Sequence, residues 1–328
     1  MRNFTFKRQL LFVMFMLLGC LSIQAANDGL ITKQITIKLD EAGTLPDRIS
    51  ESRKFLITNL KIVGEVNGTD WLLIREMAGC DHGLGKTDGK LSILDLSDAK
   101  IVKGGLPYVA RLDNEQYTSN DELGDYAFYG CSGLTSLTLP SSVTSIGSYA
   151  FYGCSGLASL TLPSSVTSIG WYAFEDCSGL TSFTLPSSVT SIGYRAFYGC
   201  SGLTSLTIPS GVTSIGSYAF YGCSGLTSIY VYLEKTPKLG KDIFKECDAK
   251  ICTVYVPTGT YDDYFVSEFG YFENIVEFDA TGIDKVTTST DAKELSRYSV
   301  NGQRLSAPAK GLNIVKYSDG SVKKVVVQ

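Results

Sequence analysis

Between positions 134 and 225 one pattern of apolar and polar residues recurs four times with a period of 23, in units starting at Leu134, Leu157, Leu180 and Leu203. The first unit reads LTSLTLPSSVTSIGSYAFYGCSG. Its opening segment alternates, so Leu137 and Leu139 fall on one side and Ser136 and Thr138 on the other, the pattern of a short half-buried strand. Pro140 ends that strand, because proline offers no N–H to a ladder. Val143 and Ile146 supply a second apolar edge, and Gly147 permits the next turn. Tyr149–Cys154 reads as a helical turn, with Ala150, Phe151 and Cys154 on one face and Tyr149 and Tyr152 pointing away. Each unit is therefore strand, turn and short helix with a single apolar edge.

A unit of this kind has no second layer of its own. Stacking solves the problem: each strand pairs with the next, and each apolar edge is covered by a neighbour. The expected architecture is an α/β repeat, a solenoid of parallel strands about 4.8 Å apart with short helical turns. A partial unit, Tyr126–Gly133, precedes the array, and a decayed one, with Leu226–Val231 and Ile243–Cys247, follows it.

The 23-residue period, the LPSSVTSIG segment and the AF-x-x-C-x-x-L junction closely resemble the BspA-type leucine-rich repeat over residues 126–249. The resemblance implies a leucine-rich-repeat solenoid. It also implies a bacterial surface or secreted protein, since several members of that family are adhesins for host matrix proteins or other cells.

The flanks follow different rules. Residues 26–125 read as an amino-terminal cap of irregular repeats, with strand-like Leu56–Ile62 and Leu91–Leu96 and a helix over Trp71–Met77 that begins at Thr69-Asp70. Residues 250–280, with Thr253–Val256 and an aromatic-rich stretch to Phe278, read as the opposite cap. After a polar linker at 281–290 come two hairpin signals, Tyr298–Leu305 turning at Asn301-Gly302, and Asn313–Tyr317 turning through Ser318–Ser321 into Val322–Gln328. From Asp284 onward eight Lys/Arg face four Asp/Glu, so this end carries +4 against an acidic body. Residues 281–328 are thus expected to form a linker and a small C-terminal β domain. YSVNGQRL and the strands after it are similar to the carboxy-terminal sorting domains of type IX secretion; a plain terminal β module is the alternative.

The first 25 residues form a further unit. Arg2, Lys7 and Arg8 precede the apolar run Leu10–Leu18, and Ser22–Ala26 is small and polar, the layout of a signal peptide cut after Ala25. Its removal takes three cations and moves the formal charge from −4 to −7. Leu17-Leu18-Gly19-Cys20 resembles a lipoprotein box, which would place a lipid on Cys20. Leu21 and Ile23 continue the apolar run past that cysteine, which favours simple secretion. No later run approaches the roughly 20 apolar residues of a membrane span.

Charge and candidate chemistry narrow the function. Only 19% of residues are charged, so neither a nucleic-acid partner nor a polybasic membrane clamp is expected. His82 is the one histidine, which gives a His-based triad or a multi-histidine metal site a single possible member. Cys80-Asp81-His82 is better read as a surface loop than as a metal site. Gly85-Lys86-Thr87 lacks the phosphate-loop glycine, because Cys80 stands five residues earlier. Gly83-Leu84-Gly85 lacks the third glycine of a dinucleotide site, where Asp88 stands, and the sequon Asn67-Gly68-Thr69 carries little meaning in a bacterium. No enzyme, cofactor or metal is expected. Cys131, Cys154, Cys177, Cys200 and Cys223 recur in register, with Cys247 one residue late, on the apolar face beside the phenylalanines. Buried free thiols are the preferred reading and disulfides the alternative.

Two exposed stripes remain. The strand face offers Ser136, Thr138, Ser159, Thr161, Ser182, Thr184, Ser205 and Thr207, a nearly uncharged hydroxyl surface. The turn face offers Tyr126, Tyr129, Tyr149, Tyr152, Tyr172, Tyr198, Tyr218 and Tyr221, interrupted by Glu175 and Arg195, which are expected to pair weakly across it. Both stripes also read as plain repeat consensus. Tyrosine brings large contact area at low entropic cost, so it is the candidate ligand-binding set. The expected function is a secreted or cell-surface binding protein, an adhesin for a host or bacterial surface protein or glycan. A structural spacer and a glycan-binding subunit of an uptake system are the alternatives.

Overall fold

A computed structural model describes residues 29–111, 114–279, 294–299, 304–305, 307–308, 310–317 and 322–327. The signal-peptide reading, Cys20 and the 281–290 linker lie outside these residues.

The alternating segments form the first parallel sheet. It begins with β1 (Ile35–Lys38), β2 (Asn59–Val66) and β3 (Ile93–Ile101) and continues through Ser136–Thr138, Ser159–Thr161 and Ser182–Thr184. Leu94, Leu137, Leu160 and Phe183 lie opposite one another in register, which aligns the inward apolar positions in one row. The row runs on through Ser205–Ile208, Ser228–Val231, Thr253–Pro257 and Asn274–Phe278, which pair as a separate parallel sheet. The division falls after Phe183, which stands where the neighbouring units carry leucine. Its ring is wedged edge-on against Phe174 and Phe197, at 5.1 and 4.9 Å. At that junction the Thr204 N–H reaches the Thr181 carbonyl at only 3.5 Å.

A second parallel sheet links the short SI segments: Glu122–Leu123, Ser145–Ile146, Ser168–Ile169, Ser191–Ile192, Ser214–Ile215 and Lys238–Leu239. The core lies between the two rows of strands. At its centre Phe128, Phe151, Phe174, Phe197, Phe220 and Phe244 stack ring on ring, with successive centroids 5.5, 4.9, 4.9, 5.2 and 5.8 Å apart. Beside this stack the thiols of Cys154, Cys177, Cys200, Cys223 and Cys247 each donate to a phenylalanine carbonyl of the preceding unit, for example Cys177 Sγ to Phe151 O at 3.1 Å. All eight described cysteines are buried free thiols. A small side chain with one weak donor suits that slot, which explains why cysteine recurs there.

The turn segment differs from the expected helical turn. Tyr149 has φ +57°, and Tyr126, Tyr172, Arg195 and Tyr218 match it at 59°, 58°, 53° and 59°. A residue in that left-handed region cannot continue a right-handed helix. The segment instead closes two i→i−3 turns, Tyr152 N–H to Tyr149 O and Cys154 N–H to Phe151 O, at 3.2 and 3.0 Å. Its alternate N–H groups leave the turn altogether. Those of Tyr149, Phe151 and Gly153 donate to the carbonyls of Trp171, Ala173 and Glu175 in the next unit, at 2.7–2.8 Å. This third ladder between units is what holds the strained tyrosine backbone in place.

At the amino-terminal side, the helix expected from Thr69-Asp70 through 71–77 is α1 (Gly68–Met77), which starts one residue earlier. Its cap is Asn67, whose side chain accepts from Thr69 N–H while Asp70 accepts from Asn67 N–H. The sequon asparagine is therefore occupied as a helix cap. Two buried side chains of α1 seat it on the first turn of the array: Trp71 Nε1 donates to Ala127 O at 3.0 Å, and Arg75 donates to the Tyr126 and Ala127 carbonyls. In the tail, Glu294–Ser299 pairs antiparallel with Arg304–Leu305 and with Gly311–Tyr317, which in turn pairs with Val322–Val327.

Candidate functional site

The tyrosines of the turn face stand in two columns. Tyr126, Tyr149 and Tyr172 stack nearly parallel, with centroids 4.9 and 4.5 Å apart. Tyr129 stacks on Tyr152 at 4.9 Å, and Tyr198 on Tyr221 at 4.8 Å. These spacings follow from the sheet: units one strand apart put equivalent rings at the thickness of an aromatic stack. Stacking also changes what the columns present. The rings do not stand free of the surface as the helical-turn reading implied; each is half-buried, and all but Tyr218 lie face to face with a neighbouring tyrosine. Burial and the neighbouring Tyr172 push the Tyr149 hydroxyl up to about 12, so it remains a neutral hydrogen-bonding group at ordinary pH.

Glu175 and Arg195 each replace a tyrosine, and they meet at 2.9 Å. The expectation of a weak surface pair does not hold, because the Glu175 side chain is only 6% exposed and that of Arg195 28%. The guanidinium lies 3.8 Å over the Tyr198 ring and 5.5 Å from that of Tyr172, so it takes the place of the missing ring in the stack. Burial pushes the Glu175 carboxyl up to about 7 against the opposing pull of Arg195. Its Oε2 and the Arg195 Nε are buried without a hydrogen-bond partner. Beyond this pair the column face opens into a hollow of about 310 Å³ lined by Tyr194, Arg195, Tyr198, Tyr218, Tyr221, Asp242 and Lys245. The hollow joins aromatic walls to charges of both signs.

Two aromatics escaped the sequence reading. Tyr194 stands one position before the first column, edge-on to Tyr172 and Tyr218 at 5.3 and 5.8 Å. Trp171 occupies the equivalent place one unit earlier and is 64% exposed. The only signal was departure from consensus, since Ser148 and Ser217 hold the same place in the flanking units.

The hydroxyl face is exposed at Ser136, Thr138, Ser159, Thr161, Thr184 and Ser205 and half-buried at Thr207. Toward the cap it becomes charged, where Lys61 meets Asp95 and Asp98 at 3.0 and 2.7 Å. Threonines in the turns do structural work that periodicity did not show: Thr167, Thr190 and Thr213 each donate a hydroxyl to the threonine carbonyl one unit earlier. The triplet at 80–82 does not converge. Cys80 is buried against Arg75, the Asp81 carboxylate accepts from Gly83 and Gly85 N–H, and His82 is exposed. Among the described residues no group of His, Cys, Asp and Glu could hold a metal ion.

Residues 121–250 match, in six copies, the family described as BspA type leucine rich repeat region. No curated protein matches the chain. Similar solved structures include a leucine rich repeat protein of T. pallidum, 32% identical over 44% of this chain and 70% of that one, with a TM-score of 0.33. Pneumococcal vaccine antigen PcpA is 20% identical, covering 75% of this chain and 68% of its own, with a TM-score of 0.41. A leucine rich cell surface protein from Faecalibacterium prausnitzii is 24% identical, covering 64% and 51%, with a TM-score of 0.31. Residues 121–250 of the chain are thus a BspA-type leucine-rich-repeat region.

Proposed function

We propose that this chain is a non-enzymatic binding protein, secreted or held at the outer surface of a bacterium, that contacts host or bacterial surface macromolecules through its tyrosine columns. The observation that carries this reading is the register of the columns: half-buried tyrosines repeat every unit on one face, already stacked and therefore ordered before a partner arrives. A long partner can engage several such contacts at once, each weak by itself. The hollow at Tyr194–Tyr221 supplies charged groups beside the rings, which the strand face lacks along the repeats. No helix among the described residues is long and apolar enough to cross a membrane. Attachment would therefore come from a lipid on Cys20 or from sorting by residues 281–328.

Two experiments test the reading. Binding to immobilised extracellular-matrix proteins is measured for Tyr149, Tyr152, Tyr218 and Tyr221 changed to Ser, and for Thr138, Thr161 and Thr184 changed to Lys. The tyrosine variant is expected to lose at least tenfold in affinity and the lysine variant much less; the opposite result would move the site to the strand face, and saturable binding by neither would favour a spacer. Deleting residues 281–328 should leave the solenoid folded and stop delivery to the surface or medium, and normal export of the truncated chain would count against a sorting role.

A further inference from the structure

The outer side of the second sheet carries a groove of about 540 Å³, which shares only Tyr194 with the hollow beside the tyrosine columns. Its floor is backbone. Gly170, Gly193, Gly216 and Gly240 line it one per unit, and a Cβ at any of them would come within 2.6 Å of the preceding unit's backbone. The units therefore pack closely only with bare glycine here, which leaves a smooth trough running along the solenoid. Hydroxyls of Ser148, Ser191, Ser214 and Ser217 border the trough, and Lys238 is its one charged residue. Trp171 and Tyr194 rise from adjacent units as its aromatic wall. Tyr194 is held by edge-on contacts to Tyr172 and Tyr218. Trp171 leaves 64% of its surface in solvent, although serine serves its position in the units on either side of this pair. A large exposed indole in an otherwise repetitive array is not required by the stacking.

We infer that this groove binds a neutral oligosaccharide chain lying along the solenoid, with Trp171 and Tyr194 as its stacking platform. The chemistry of the lining selects this class. The carbon-bound hydrogens on a sugar face carry partial positive charge and pack on the negative face of an indole or phenol ring. Serine hydroxyls both donate and accept, which matches the mixed donors and acceptors of sugar hydroxyls. A trough with a single cation makes no provision for a polyanion, which would need several. Its open, linear form suits a polymer whose successive residues meet successive units rather than an enclosed small molecule. The two readings share Tyr194, which also lines the hollow beside the columns, whereas Trp171 belongs to the groove alone and Tyr149 and Tyr152 to the columns alone, so variants at those residues separate them.

The test uses the intrinsic tryptophan signal. The chain has two tryptophans, and Trp71 is 1% exposed, so quenching by acrylamide reports chiefly on Trp171. Cello-, malto-, manno- and chito-oligosaccharides are titrated into the purified protein, with calorimetry as a second readout. At least one series should shift the Trp171 emission and protect it from acrylamide, with affinity rising with chain length. Trp171→Ser copies the residue of the flanking units and preserves the fold; together with Tyr194→Ser it should weaken calorimetric binding at least tenfold. Tyr149→Ser with Tyr152→Ser should leave sugar binding unchanged. The inference is overturned if no series binds, if binding persists undiminished in Trp171→Ser, or if only a protein ligand protects the indole.

Discussion

Replacing Arg195 by Tyr would restore the column consensus, yet the structure requires it to destabilise the protein. The change leaves Glu175, with a side chain only 6% exposed and one oxygen already without a partner, facing aromatic rings alone. Removing one member of a buried ion pair costs roughly 3–5 kcal/mol; since Arg195 is 28% exposed, the lower end is expected. Glu175→Tyr frees an arginine that reaches water and should cost about 1 kcal/mol or less. Changing both to Tyr removes the pair and completes both stacks, each new ring contact contributing about 0.5–1.5 kcal/mol. The double variant should then match or exceed the parent. The pH dependence carries a sign. The folded carboxyl titrates at about 7 against an ordinary 4.5, so the folded state keeps a proton that the unfolded chain has released. Stability should fall by about 3 kcal/mol as pH rises from about 4.5 to 7 and then level off. Urea denaturation of the four proteins across pH 4.5–8 measures all of this. The slope attributed to Glu175 is the difference between parent and Glu175→Tyr, and the Arg195→Tyr penalty should shrink at pH 5, where the lone carboxyl is protonated. A penalty under about 1 kcal/mol at pH 7.5, or the same pH profile with and without Glu175, would refute the reasoning.

Two further outcomes follow from the core. Phe174→Ala opens the middle of the phenylalanine stack and should cost about 3–5 kcal/mol, with hydrogen exchange rising in the neighbouring units as well; a loss confined to its own unit would argue against cooperative stacking. Burial pushes the Cys131 and Cys247 thiols up to about 12 and those of Cys154, Cys177 and Cys223 well above their usual range, so a thiol reagent at pH 8 should label the native protein slowly. Denaturation without reductant should then expose most cysteines; few released thiols would show that the exported protein holds disulfides instead.

The 23-residue period was enough to determine the solenoid, the parallel sheets and the burial of Phe151, Cys154 and their equivalents, because a unit with one apolar edge has no stable alternative to stacking. Periodicity failed where two conformations share one pattern. Ala150, Phe151 and Cys154 face inward equally well from a helix or from a pair of turns. The choice fell to the left-handed backbone at Tyr149, held by N–H groups that reach the next unit, a contact invisible within one unit. The same holds for the surface. Tyr149 and Tyr152 were legible as a stripe, but only the spacing between units closes them into stacks and half-buries them. That closure drives Glu175 out of water and turns an apparent surface pair into a buried one. Arg75 and Trp71 read as ordinary members of a short helix until the fold set them against Tyr126 and Ala127, fifty residues away in sequence and adjacent in the stack. Trp171 and Tyr194 were invisible for the opposite reason: they break the consensus, and only the groove beside them gives the break a meaning.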